Sequence, residues 1–307
     1  MSAADENLDM AEGLASIGEA ARRSGVPKDT LRIWERRYGF PSPLRDAAGD
    51  RAYPSDQVEK LRLIRILIDQ GRRPSKLVTR SLAALQAEFQ VGAPERSAPE
   101  AWVIEALDLL RAHDVEGLRA RLVATLHERG LRPFVIDNVA ALSAAVGEAW
   151  VAGELAVFEE HLYTELIARV LRGALAGVGR GGDSRPRILL TTLPGEPHAL
   201  GLLMAECLMT LSGGACLSLG VETPIADVVL AAKAHRVDVV ALSFSAMYGG
   251  PAARRDLKAL REALPPEVGI WAGGACPGLR GPQTSGLLIL SGLDAIDAAV
   301  SNWAGPA

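Results

Sequence analysis

Long apolar runs are missing from this chain of 307 residues. None approaches the roughly 20 residues that an α-helix needs to cross a bilayer. The first residues, Met1-Ser2-Ala3-Ala4-Asp5-Glu6-Asn7, are acidic and show no signal-peptide pattern. Cysteine is scarce as well. Cys207, Cys216 and Cys276 are scattered and form no Cys-x-x-Cys pair, which speaks for reduced thiols and against a structural zinc site or a cysteine-based metal sensor. A Gly-x-x-x-x-Gly-Lys phosphate loop is absent, and so is a convincing Gly-x-Gly-x-x-Gly. The expectation is a soluble cytoplasmic protein without a membrane partner or a nucleotide fold.

What is present is unevenly distributed. The net charge is −4, yet 15 basic and eight acidic residues lie between Ile17 and Arg80, so the remainder carries the acidic excess. A basic head on an acidic body points to a polyanion partner for the head alone. Ile17 to Ser24 reads as a short helix and Gly25-Val26 as a turn. Pro27 opens a second helix from the first helical position, where its missing N–H costs nothing. Leu31, Trp34 and Tyr38 share its inner face, while Lys28, Arg32 and Arg36 recur every fourth residue on another. This is a helix-turn-helix with its second helix poised for the major groove. Pro41 to Tyr53 reads as a hairpin or wing, and a further helix through Asp69 carries the stripe Leu61, Ile64, Leu67, Ile68.

Leu-Arg-x-Trp-Glu-Arg-Arg-Tyr-Gly-Phe-Pro-x-Pro-x-Arg from Leu31, then Gly-x-Arg-x-Tyr from Gly49, resembles the MerR-type winged-helix DNA-binding domain. The Trp34-Glu35-Arg36-Arg37-Tyr38-Gly39 version resembles the branch of light-responsive carotenoid regulators, CarA and CarH. The resemblance implies double-stranded operator DNA as partner. It puts Lys28, Thr30, Arg32 and Arg36 on or near the groove, and Arg37, Arg45, Arg51 and Tyr53 on phosphates around the wing.

Helical periodicity then runs over about 101–113, 115–129, 132–152 and 154–178, the makings of a four-helix bundle. A long dimerisation coiled coil is not evident. Trp150, nine residues, then Glu160-His161 resembles the signature on the helical cap of CarH-type proteins, where the tryptophan packs over the upper face of a corrinoid. That resemblance implies Trp150, Glu160 and His161 as cofactor-binding residues. In the family pattern a histidine follows the tryptophan; here it is Val151, which cannot ligate cobalt.

Beyond Gly179, apolar runs near 187–193, 215–219, 237–243, 268–272 and 287–290 alternate with helical segments, the pattern of a doubly wound parallel sheet. In such sheets ligands bind outside the carboxyl ends of the strands. Glu196-Pro197-His198 lies on the loop after the first of them, and a carboxylate beside a histidine orients the ring, as at metal sites. Glu-x-His-x-x-Gly over Glu196 to Gly201 resembles the base-off cobalamin motif, in which the histidine is the lower axial ligand of cobalt. Enzymes with that motif usually have Asp first; Glu is similar to the cobalamin-dependent regulators. Ser243 and Ser245 at the third strand end and Gly273-Gly274 at the fourth resemble the remaining corrinoid loops. His198 is thereby implied as metal ligand, and Glu196, Gly201, Ser243, Ser245, Gly273 and Gly274 as cofactor-binding.

The expected fold is multidomain, α plus α/β. A winged helix-turn-helix spans 14–90, a linker 91–100, a four-helix-bundle cobalamin cap 101–180 and a Rossmann-like domain 185–305. The resemblance implies a non-enzymatic repressor that binds adenosylcobalamin, assembles as a dimer or tetramer, and responds to light. Three alternatives stay open: a cobalamin module that is structural or contacts an antirepressor protein, a corrinoid carrier subunit of an enzyme, and a sensor of another ligand such as haem.

Overall fold

The computed structural model describes residues 14–45, 49–69, 72–85, 101–178, 184–279 and 286–303. The expected linker at 91–100 lies outside them. The chain divides into two compact units: Met1–Ala98 with Val146–Phe158, and Pro99–Ala145 with Glu159–Ala307.

In the first unit, strand β1 (Leu14–Ser16) leads into helix α1 (Ile17–Ser24), which Ser16 caps by accepting a hydrogen bond from the Glu19 N–H at 3.2 Å. Gly25, at φ 70°, closes α1 in a left-handed conformation. Helix α2 (Lys28–Tyr38) follows. Pro27 is its N-cap, one residue ahead of the helical position expected of it. Strands β2 (Leu44–Arg45) and β3 (Arg51–Pro54) pair antiparallel as the wing, and β1 adds to the other side of β3. Helix α3 (Ser55–Asp69) crosses behind them and is followed by one short turn, α4 (Pro74–Leu77). Leu61 and Ile64 are buried as the periodicity predicts, but so are Arg62 and Leu63, because α3 is covered on more than one side.

The second unit holds helices α5 (Ala101–Arg111), α6 (Val115–Arg129), α7 (Leu131–Val151, its last turns grouped with the first unit) and α8 (Val157–Ala176, its first two residues likewise). Asp114 caps α6 through the Gly117 N–H at 2.8 Å, and the Trp102 indole donates to Thr125 Oγ1 at 2.8 Å. Over Phe134–Val139 helix α7 widens to π geometry. By length and mean hydropathy of 1.4, α7 is the one helix among the described residues apolar enough to cross a membrane. Arg132, Asp137 and Asn138 interrupt it, so it holds no unbroken apolar run of that length. Phe134, Val135, Asn138 and Val139 are buried against protein, and Arg129 pairs with Asp137 at 2.8 Å.

The sheet comprises β4 (Arg187–Thr191), β5 (Ala215–Gly220), β6 (Val239–Phe244), β7 (Gly269–Gly274) and β8 (Leu287–Ile289), all parallel in the order β5-β4-β6-β7-β8. Helices α9 (Leu200–Leu211), α10 (Ile225–Ala234) and α11 (Gly250–Ala263) provide crossovers between successive strands, and α12 (Ala295–Ser301) follows β8. Ile188, Leu189 and Leu190 are all fully buried. A strand covered on both faces reads as a continuous apolar run rather than an alternation, which is why these strands stand out in the sequence. This doubly wound arrangement reverses direction between β4 and β6, and a crevice opens there at the carboxyl ends.

Candidate functional sites

At that reversal, the loop after β4 carries Glu196 and His198. Glu196 is 1% exposed, while the His198 side chain is 52% exposed. The His198 Nδ1 lies 2.5 Å from Glu196 Oε1, and the other carboxylate oxygen, Oε2, accepts from the Ser245 backbone N–H at 2.7 Å. The carboxylate therefore ties the loop after β4 to the loop after β6 across the crevice. Burial alone would raise the Glu196 pKa, but the donations from His198 and Ser245 outweigh it and hold the carboxyl below its ordinary value. An ionised carboxylate only accepts, so the imidazole proton sits on Nδ1. The lone pair is then on Nε2, the tautomer that ligates a metal.

The loop is held at further points that the sequence reading passed over. Thr192 Oγ1 donates to the Glu196 carbonyl at 2.5 Å and accepts from the Glu222 N–H at 2.8 Å. Glu222, in the left-handed region at φ 57°, accepts from the Gly195 N–H at 3.0 Å. The buried Tyr248 hydroxyl donates toward Asp256 Oδ2 at 2.7 Å and lies 3.3 Å from the Pro194 carbonyl. Of these, Thr192 belongs to a stretch that stood out in the sequence, the first apolar run of the sheet, and nothing there marked its hydroxyl as a partner of the loop. Packing within the sheet also restricts the glycines. A Cβ on Gly201 would stand 2.9 Å from Ser243 Oγ, so this glycine leaves room for the Ser243 hydroxyl. On Gly274, at φ 117°, a Cβ would fall onto the Phe244 carbonyl. Its place is thus dictated by the neighbouring strand. Gly273 faces Leu290, with ordinary room for a Cβ.

Glu160 and His161 lie at the start of α8. Thr164 donates to Glu160 Oε1 at 2.9 Å, and the His161 side chain is 72% exposed. Trp150 belongs to the first unit: the Arg62 guanidinium sits 4.1 Å from its ring centroid. Among the described residues no group of three or more His, Cys, Asp or Glu side chains is placed to hold a metal ion.

On the head, Lys28, Arg32, Arg36 and Arg37 are exposed along α2 and Thr30 is half-buried, while Leu31 and Trp34 are buried on the opposite side. Arg32 pairs with Asp29 at 2.9 Å. In the wing, exposed Arg45 donates to the Gly49 carbonyl at 2.8 Å, and half-buried Arg51 pairs with Glu35 of α2 at 2.9 Å. Tyr53 corrects the expectation of a phosphate contact. It is 0% exposed, because β3 is the central strand and turns this side chain into the core.

A winged helix-turn-helix with a row of exposed cations, joined in one chain to a helical region and a doubly wound sheet, is the build of a DNA-binding transcriptional regulator. The family described as "MerR HTH family regulatory protein" matches residues 15–80. The HTH-type transcriptional repressor CarH of Myxococcus xanthus is 34% identical over 280 residues, 87% of this chain and 90% of its own. CarA of the same organism, also an HTH-type transcriptional repressor, is 32% identical over 243 residues, 74% of this chain and 75% of its own. The chain belongs to this CarH/CarA family of MerR-type regulators. In fold, the chain resembles the monomethylamine corrinoid protein of Methanosarcina barkeri, with a TM-score of 0.50 at 16% identity over 66% of this chain and 98% of that one.

Proposed function

We propose that this regulator is a repressor whose grip on operator DNA is controlled by bound cobalamin, which His198 would hold through its cobalt. The observation that carries the reading is the Glu196–His198 pair at the switch point. A half-exposed imidazole is held by a buried, ionised carboxylate in the tautomer that presents Nε2. One protein nitrogen suits a metal that arrives already held in a macrocycle. Ser243, Ser245 and the Gly273-Gly274 strand end line the same carboxyl edge and offer polar and backbone surface to a large ligand. The residues therefore fit a corrinoid.

Trp150, Glu160 and His161 would be further cofactor-binding residues. The adenosyl form, when bound, supplies a cobalt–carbon bond that visible light breaks. The chain's own contribution is to orient His198 through Glu196, Thr192 and Ser245, and to carry the signal to the cations of α2 and the wing. Domain limits of 14–90, 101–180 and 185–305, and assembly as a dimer or tetramer, complete the proposal. Several heads on one operator raise avidity by about 10²–10⁴ without a new contact.

Size-exclusion chromatography with an absorbance spectrum, on protein loaded with adenosylcobalamin in darkness and after green light, tests this. The expected result is a cobalamin spectrum on a larger dark species that dissociates on illumination. Bound cobalamin with no change of size would remove the light response and leave cobalamin control. Absence of bound cobalamin would overturn the assignment of His198.

A further inference from the structure

Arg62 is 8% exposed in the middle of α3, flanked by the fully buried Leu61 and Leu63. Arginine is almost never buried to this degree unless something pairs with it. Here segment 146–158 supplies the cover. The Trp150 ring lies 4.1 Å from the guanidinium, and Arg62 Nη2 donates to the Leu155 carbonyl at 3.3 Å. Val151 packs against the core cluster of the head. Gly153, at φ 79°, carries the chain past Glu59, whose Cγ would lie 4.0 Å from an added Cβ. One face of the DNA-binding head is thus an interaction surface, and its occupant is the segment that carries Trp150.

The docked indole is not satisfied. Among the described residues its buried Nε1 meets no hydrogen-bond partner, whereas the Trp102 Nε1 donates to Thr125 at 2.8 Å. Buried tryptophans usually find such a partner, so a ring that lacks one is held against a cost which it sheds by leaving. With Arg62 over one face and the Nε1 edge buried, the docked ring has neither to offer a ligand.

We propose that the head and the corrinoid compete for Trp150, so that cofactor binding undocks segment 146–158 from Arg62 and releases the head. This rests on the proposed role of Trp150 as a cofactor-binding residue. Val151 follows from the same geometry, because the residue after the tryptophan packs partly buried against the core cluster of the head and an apolar side chain suits it there. Coupling of this kind is reciprocal: whatever weakens the docked contact strengthens cofactor binding by the same factor.

The test uses the full chain and the variant Arg62→Met, which keeps the apolar stem and removes the cation. Titration with adenosylcobalamin in darkness, read from the absorbance spectrum, is expected to give a dissociation constant about fivefold or more below that of the unsubstituted protein, the lower end of coupling between linked sites. An unchanged constant would overturn the competition.

Hydrogen exchange on cofactor-free protein reads the docking itself. Arg62→Met and Trp150→Leu should each speed exchange in 146–158, and the double variant should add nothing further. Additive effects would overturn the docked contact, even where one variant also loosens α3. Failure of the unsubstituted protein to bind cobalamin would overturn the cobalamin reading and the competition together, while the exchange result still decides the docking.

Discussion

Glu196 concentrates the local physics of the candidate site. It is buried, ionised and bonded on both oxygens, so its replacement leaves donors on two loops without their acceptor. Glu196→Gln should lower cobalamin affinity by about 10–100-fold, the usual effect of losing the partner of a ligating histidine, measured by spectral titration. The same carboxyl predicts a pH effect. Its folded pKa lies below its ordinary value near 4.5, so its stabilising contribution is complete above that value and is lost as pH falls through the lower, folded one. Unfolding curves from pH 7 to pH 3 should show Glu196→Gln less stable than the unsubstituted protein at neutrality, with the gap narrowing below about pH 4. A gap of constant size would contradict the assignment of charge. The pair itself was legible in the sequence, because a carboxylate two residues before a histidine on a strand-end loop is a local pattern. Glu222 and Tyr248 were not legible as partners of that loop, since each reaches it from a loop whose position only the sheet order defines; Thr192 is local, but a threonine hydroxyl at a strand end carries no pattern of its own.

Among the elements, the parallel strands were the easiest to read. Burial on both faces leaves an unbroken apolar signature, and β6 and β7 end within a few residues of where those runs stop. Helix α3 was read less well. Its stripe was visible, but Leu63 and Arg62 are buried by contacts from outside the local sequence. The strand-end glycines carry the element-scale prediction. At Gly274, φ 117° and the nearby Phe244 carbonyl exclude any side chain, so Gly274→Ala should cost about 2 kcal/mol or more in thermal unfolding. At Gly273 a Cβ meets only ordinary contact, at 3.4 Å from Leu290, so Gly273→Ala should be the milder change. Equal effects at both positions would mean that β7 can shift away from β6.

For the whole molecule, the division of charge decides how DNA binding responds to solution conditions. The cations lie on the head and the acidic excess lies elsewhere, so salt should weaken the DNA complex with a log–log slope of about −0.9 per phosphate neutralised. Arg36→Ala, on the exposed side of α2, should make that slope shallower by about one in filter-binding or anisotropy titrations. Tyr53→Phe should leave it unchanged, because the ring is inside. A shallower slope for Tyr53→Phe would reinstate the phosphate contact that the structure removes.

The amino-acid sequence by itself determined the kinds of element, their order and the residue types at the strand ends. Periodicity, caps and apolar runs are local properties, and the Trp-Glu-Arg-Arg-Tyr and Glu-x-His-x-x-Gly stretches are contiguous. Tertiary structure alone decided which side chains meet across distance. It buried Tyr53, tied Glu196 to Ser245, gave Gly201 and Gly274 to the packing of the sheet, and laid Trp150 under Arg62. The physical reason is that burial and pairing belong to surfaces brought together by the fold. Residues 88 positions apart, such as Arg62 and Trp150, share no pattern in the chain that could announce their contact.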